Sequence, residues 1–215
     1  MTTTTTTTLP PLAGTTFSSL CSLMMRPVIM TGVLRDIFMR HFTAWGNIEE
    51  PDLRQLVWRS GETTSILIES AYRWRPELTE FRPAVLIKRN TLQNQRRGIG
   101  DQQMGNLADA FGHEHYATFW VGSHTLFCVG GSGAQAELLG TEVQRHLTEF
   151  SRAFLMSFGL LRFQVTQVGA VAELEESREN WVVPVTVGYG YEERWKIIEQ
   201  APRLHSVSLS LITEC

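Results

Sequence analysis

The chain reads as an α+β protein, an antiparallel or mixed β-sheet packed against one or two helices. Three observations predict it. Residues 134–158 place Leu138, Val143, Leu147, Phe150, Phe154, Leu155 and Phe158 at helical spacing, with Gly159 behind them as a stop. Runs rich in β-branched and aromatic residues then follow at 161–169, 181–190, 195–199 and 204–211. No helical pattern separates those runs, so the order is unlike repeating βαβ units.

From the start, residues 1–14 are low in complexity, threonines followed by Leu-Pro-Pro-Leu-Ala-Gly. Pro10 and Pro11 break any regular element, so 1–30 is expected to be an extended or disordered arm and 31–215 a single domain. The arm is either a tail without a role or a segment that orders on a neighbouring subunit. Residues 31–45 predict a helix: Thr31 can cap it, and Val33, Leu34, Ile37, Phe38, His41 and Phe42 share a face before Gly46 and Asn47. Residues 53–59 and 64–74 alternate like strands around a turn at Ser60, Gly61 and Glu62, and 83–90 reads as a third strand. Residues 91–109 lack apolar periodicity and predict a long polar loop. Residues 116–130 predict two short strands around Gly122 and Ser123, and 173–179 an acidic turn. Pro184 lies inside Trp181-Val-Val-Pro-Val-Thr-Val-Gly-Tyr-Gly-Tyr191. A proline cannot donate to a ladder, which predicts an edge strand or a bulge there, and a long edge needs a cover. Another copy of the chain is the simplest cover.

The composition, 43% hydrophobic and 19% charged over 215 residues, suits one domain with a real core. A net charge of −3 argues against a dedicated nucleic-acid binder, although patches still matter. Cys21, Cys128 and Cys215 have no paired spacing, so neither a disulfide framework nor a zinc site follows and a reducing compartment is expected. Cys128 reads as core. The apolar stretch 20–30 is too short for a membrane span and is interrupted by Arg26 and Pro27.

Gly130, Gly131 and Gly133 superficially match a dinucleotide fingerprint between a strand and a helix. The fingerprint should open a βαβ unit with an acid ending the second strand, whereas here antiparallel strands follow and Glu149 lies in the helix. A strand-to-helix turn capped by Ser132 is the plainer reading. A nucleotide-binding enzyme using these glycines is the alternative from another class. His113, Glu114 and His115 invite a metal, but two histidines at i and i+2 share a face only on a strand and no third ligand is near. A polar loop is expected there. No catalytic, cofactor-binding or metal-binding residue is assigned, and no enzyme activity is expected.

Charge is partitioned along the chain. Arg73, Arg75, Arg82, Lys88, Arg89, Arg96 and Arg97 cluster against Glu77 and Glu80, while acids prevail later at Glu137, Glu142, Glu149, Glu173, Glu175, Glu176 and Glu179. These are either two solvated faces, complementary faces between copies, or a basic surface facing DNA.

The segment 83–211 resembles the tail terminator (tail completion, neck) proteins of long-tailed bacteriophages. The features that carry the resemblance are Pro83-Ala-Val-Leu-Ile-Lys-Arg-Asn, the polar loop, the helix 134–158, the acidic turn before Trp181-Val-Val-Pro-Val-Thr-Val, and the ending Arg194-Trp-Lys-Ile-Ile-Glu-Gln-Ala-Pro-Arg-Leu-His-Ser-Val-Ser-Leu. These are matches of pattern over roughly the last 130 residues. The resemblance implies a virion structural protein, assembled in the host cytoplasm, that forms a hexameric ring. Such a ring caps the tail tube protein, docks the head–tail connector and neck proteins, and lets genomic DNA pass through its lumen, with no cofactor and no membrane. A head-completion or baseplate subunit is the neighbouring alternative. In a ring the contact is heterologous. Its expected halves are Arg73 and Arg75 against Glu175 and Glu176, with Trp181 and Trp195 supplying the apolar share. Arg96 and Arg97 are expected to face the lumen or an adjacent ring.

Overall fold

The computed structural model describes residues 15–17, 27–60, 65–73, 83–96, 114–174 and 177–197. It is an α+β fold. In chain order the elements are β1 (Thr15–Phe17), α1 (Pro27–His41), two single 3-10 turns (Trp45–Asn47 and Pro51–Leu53), β2 (Leu67–Ser70), β3 (Ala84–Arg89), β4 (Gln93–Asn94), β5 (Glu114–Gly130), α2 (Gly133–Glu149), α3 (Ser151–Phe158), β6 (Arg162–Val168), β7 (Ala172–Leu174) and β8 (Ser177–Ile197). All strands join one mixed sheet, ordered β1-β8-β5-β3-β2, with β4 on β5 and both β6 and β7 on β8. The β2–β3 pair is parallel and the other pairs are antiparallel.

Strands β5 and β8 form the spine, in continuous register from Glu114 opposite Ile197 to Gly130 opposite Trp181. Side chains alternate across a strand. On β8, Val183, Val185, Val187, Tyr189 and Tyr191 turn to one face and are buried, while Pro184, Thr186, Gly188 and Gly190 take the other. On β5 the buried face carries His124, Leu126 and Cys128. The two strands complement each other by size. Opposite Tyr189 stands Gly122, where an added Cβ would lie 2.7 Å from the Tyr189 hydroxyl and 2.9 Å from Leu92. On the reverse face the Phe119 ring covers Gly190 at 2.9 Å from the Cβ position.

Several expectations change here. The run 181–191 is not an edge strand: β8 lies between β5 on one side and β7, β6 and β1 in succession on the other. Pro184 survives at the handover between neighbours. Its carbonyl accepts from the Gly169 N–H at 2.8 Å. In an antiparallel ladder a residue's N–H and C=O point to the same side. The donor that proline lacks therefore falls where β6 has ended and β7 has not begun. Residues 116–130 are one strand, not two, because Gly122 makes room for an aromatic ring and not a turn. The 195–199 run continues β8 through Ile197, and the 173–179 turn is largely strand, with Glu173 in β7 and Ser177 opening β8. Residues 53–59 are not a strand. Pro51 opens a 3-10 turn, and Leu53 and Leu56 are buried three positions apart, a spacing that suits a helical turn and not a strand. In 64–74 the strand is confined to Leu67–Ser70, and Gln93–Asn94 of the expected loop pairs with Val121 and Trp120. Glu114 and His115 begin β5 instead of lying in a loop. The arm boundary at residue 30 falls inside α1, and Thr15–Phe17 pairs with β8. The turn at Gly61 and Glu62, the loop 97–109, His113 and the strand 204–211 lie outside the described residues.

The helices cover one face. Met30, Leu34 and Phe38 of α1 meet Val85 and Ile87 of β3, while Ala136, Leu139, Val143 and Leu147 of α2 meet the β8 valines in one cluster that includes the buried Cys128. Gly140 lets α2 approach closely, since a Cβ there would meet Val183 at 2.8 Å. Helix α1 starts at Pro27, whose fixed φ suits a first turn. Thr31 is not its cap, because the hydroxyl donates to the Pro27 carbonyl at 3.0 Å. The expected helix 134–158 is two, divided at Phe150. Beyond it Phe154 turns to β6, with its ring 5.1 Å from that of Phe163. Gly159 stops α3 with φ 61°.

Gly122→Ala is expected to cost about 1–3 kcal/mol by overpacking against Tyr189. In a Tyr189→Leu background the same substitution should cost much less. Urea unfolding of the four proteins measures the coupling, and equal costs in both backgrounds would refute the packing argument.

Candidate functional site

The densest titratable chemistry lies where the end of α1 meets α2. Helical spacing buries His41 one turn beyond Phe38, and it buries Glu142 beside Val143 on the sheet-facing side of α2. His41 Nε2 and Glu142 Oε1 are 2.8 Å apart, with both side chains almost wholly enclosed. Arg145, one turn on, donates to the same carboxylate at 2.6 Å and 3.4 Å, and it also pairs with Glu149 at 2.8 Å and Glu49 at 3.0 Å. Burial alone raises a carboxyl pKa. Here the hydrogen bonds from His41 and Arg145 outweigh it and hold Glu142 down at about 2. An ionised carboxylate only accepts, so His41 Nε2 carries the proton it donates.

The His146 ring lies 4.0 Å from that of His41, centroid to centroid, and packs among Phe38, Phe150 and Phe154. Burial lowers its pKa to about 4, helped by His41 and Arg145 and opposed by Glu142. A cavity of about 410 Å³ opens beside this cluster, floored by Ile37, Phe150 and Phe154. Its lining brings imidazoles, guanidinium groups and Glu149 but no hydroxyl or thiol. The arrangement can lock two helices together. It offers a histidine–carboxylate pair without an adjacent nucleophile.

A second buried histidine ties α1 to the sheet. His124, fully enclosed on β5, has Nε2 2.8 Å from the Thr31 hydroxyl. That hydroxyl already donates to Pro27, so Nε2 is the donor and His124 is neutral. Its Nδ1 has no partner among the described residues. Burial lowers its pKa to about 4 against the Pro27 carbonyl, which raises it, and Arg89 lowers it further.

The glycine-rich turn is a helix cap. Ser132 Oγ accepts from the Gln135 N–H at 3.2 Å, and Gln135 Oε1 accepts from the Gly131 N–H at 3.0 Å. This reciprocal pair satisfies two of the amides at the turn, those of Gly131 and Gln135. Gly130 is packed on α2, where a Cβ would lie 2.8 Å from the Ala136 nitrogen.

The residues expected at an inter-subunit contact are not brought together within the described residues. Trp181 is half-buried, packs against the main core and lies 3.6 Å from the Cβ position of Gly133. Arg73 is exposed after β2, and Arg96 is exposed after β4. Arg75, Arg97, Glu175, Glu176 and the Trp195 side chain lie outside the described residues. His124 and His146 were missed by sequence reasoning, and Glu142 was read only as surface charge. A glutamate three residues before an arginine on a predicted helix was the available signal, but nothing local marks it as buried. No family model matches the chain, and no curated protein matches it.

Glu142→Ala is expected to cost about 3–5 kcal/mol, because it leaves the buried His41 N–H and the Arg145 guanidinium without the carboxylate they share. Chemical unfolding measures this, and a cost below about 1 kcal/mol would refute the lock. The pH dependence follows from His124 and His146. Their folded pKa values, about 4, lie below the usual 6.5. The unfolded chain therefore binds more protons in that window, and stability is full above about 6.5 and falls toward pH 4. Each histidine contributes a slope of up to about 1.4 kcal/mol per pH unit. His146→Phe should flatten the profile of urea midpoints between pH 7.5 and 5, and a flat wild-type profile would overturn the assignment. Below about 4.5, protonation of Glu142 adds a further loss as pH falls toward 2.

Proposed function

We propose that the chain is a structural subunit of a bacteriophage particle, a tail terminator or neck ring subunit that caps the tail tube and joins it to the head connector. The observation that carries this reading is the β5–β8 ribbon. Its 17 and 21 residues exceed what the helices cover. At about 1.5 Å per residue, α2 spans roughly 25 Å, whereas at about 3.4 Å per residue β8 spans roughly 70 Å. Helix α2 sits over Val183 and Val185, near the start of β8. The ribbon continues beyond Tyr191 to Ile197, and the indole of Trp120, opposite Tyr191, donates to Glu193 at 2.9 Å. A long two-stranded ribbon of this kind is suited to contacts with the next copy.

Ring closure requires a different surface to receive it. The side of the sheet formed by β6 supplies one. Its outer edge faces no strand among the described residues, and Val168, Leu161 and the neighbouring Met156 of α3 are exposed large apolar side chains. This replaces the 181–191 run as the apolar half of the contact. An unpaired edge accepts another strand, and apolar area supplies what exposed ion pairs, worth about 0–1 kcal/mol each, do not.

The resemblance in the ordering of elements supports the virion assignment, and the ribbon and open edge support assembly. Negative-stain imaging and sedimentation velocity of the purified protein test it, with closed rings as the expected result. Met156→Glu with Val168→Lys is expected to shift the population to monomer while circular dichroism stays unchanged. A wild-type protein that stays monomeric at micromolar concentration, alone and with tail tube protein, would refute the reading.

A further inference from the structure

We infer that the open edge of β6 is filled by residues 204–211 of a neighbouring copy, which add to the sheet as one more strand. The inference deepens the assembly reading and rests on it: it names the part of the next copy that seats on that edge.

Two features define the site. The outer N–H and C=O groups of β6 face no strand among the described residues. From Phe163 to Val168 the strand carries neither charge nor proline, two of the usual guards of an open edge. Beside β6 lies α3, whose Phe154 ring meets that of Phe163 at 5.1 Å. Half of α3 is large and apolar, Phe154, Leu155, Met156 and Phe158, yet none of its residues is fully enclosed, and Met156 is 80% exposed. A strand laid along β6 has the helix layer on one face and water on the other. Strand β6 already lives in that environment: Phe163 is buried and Val165 half-buried, whereas Gln164 and Thr166 are exposed. The occupant must alternate in the same way, apolar on one face and polar on the other.

Residues 204–211 carry that pattern. Val207, Leu209 and Leu211 alternate with Ser206, Ser208 and Ser210. Strand addition draws its affinity from main-chain hydrogen bonds and its fit from alternate side chains. Chain reach decides whose edge is filled. Strand β8 ends at Ile197, and β6 begins opposite Gly190. That point lies about 24 Å back along β8 and about two strand spacings, about 10 Å, to the side, so roughly 26 Å in a straight line. Residues 198–203 link Ile197 to Leu204 and span about 24 Å at full extension. Strand β1 pairs with β8 from Trp195 to Ile197 on the side that β6 also takes, and it closes the direct path. Leu204 therefore falls short of its own β6, while a neighbouring copy receives the segment without any reversal of the chain.

Sedimentation velocity of the full chain tests the inference. Leu209→Asp with Leu211→Asp is expected to raise the concentration at half-assembly by about 100-fold, about tenfold for each leucine kept from burial, with an unchanged circular dichroism spectrum. Ser208→Asp, on the water-facing side, should leave assembly unchanged. A synthetic peptide of residues 203–213 should bind the Leu209→Asp, Leu211→Asp protein, whose β6 edge is vacant, and lose that binding when Met156→Glu and Val168→Lys are added. Crosslinking identifies the donor. In a Cys21→Ser, Cys215→Ser background, chains with Gln164→Cys should form disulfides with separate chains carrying Ser206→Cys, Ser208→Cys or Ser210→Cys. Rings that persist in the Leu209→Asp, Leu211→Asp protein, an equal loss with Ser208→Asp, or a link formed only within doubly substituted chains would each overturn this inference and leave the assembly reading standing. A wild-type chain that stays monomeric removes both, so the two failures are told apart.

Discussion

The register between Glu114–Gly130 and Trp181–Ile197 fixes where everything else can go. A slip of one residue turns every buried side chain to the opposite face. The register is held by shape as much as by hydrogen bonds. Tyr189 can lie flat only over Gly122, and Phe119 only over Gly190. Both aromatics would collide with any side chain that a shift brought beneath them. With β5 and β8 in place, the valines of β8 present a flat apolar strip, and the Cβ-less Gly140 lets α2 settle onto it.

The helices need a second device, because apolar packing does not set how α1 lies against α2. The His41–Glu142–Arg145 cluster supplies direction. Buried ion pairs often add little net stability over an apolar replacement, and their best-attested use is to select one arrangement among several. Only one placement of α1 brings His41 onto Glu142 and, at its other end, Thr31 onto His124. The two histidines sit at opposite ends of α1 and act on its position from both.

Much of the secondary structure was legible in sequence, because periodicity reports burial on one face. The strand 84–89, the strands at 162–168 and 181–190, the Ser132 cap and the Gly159 stop all follow from local chemistry. What failed was context. Pro184 reads locally as an edge residue, and only the break between β6 and β7 explains a proline in a central strand. Gly122 reads locally as a turn, yet its cause is Tyr189, 67 positions away in sequence. Glu142 reads as surface charge until α1 brings His41 to it. Each misreading involved a residue whose role is set by a partner distant in the chain.

The spine also has a history within each molecule. Roughly fifty residues separate Gly130 from Trp181, the nearest pair in the ribbon. Closing a loop of that length costs about 3.5 kcal/mol of chain entropy before any pair forms. Strand β5 emerges during synthesis well before β8. At roughly 5–20 residues per second, β8 is complete about 3–13 s after β5. Throughout that interval Leu126, Phe127, Cys128 and Val129 have no partner along the edge that β8 will take. Helix α2, made of local contacts, forms first and is the natural shield for those residues. The chain's exposure to aggregation is therefore concentrated in the seconds before β8 is made.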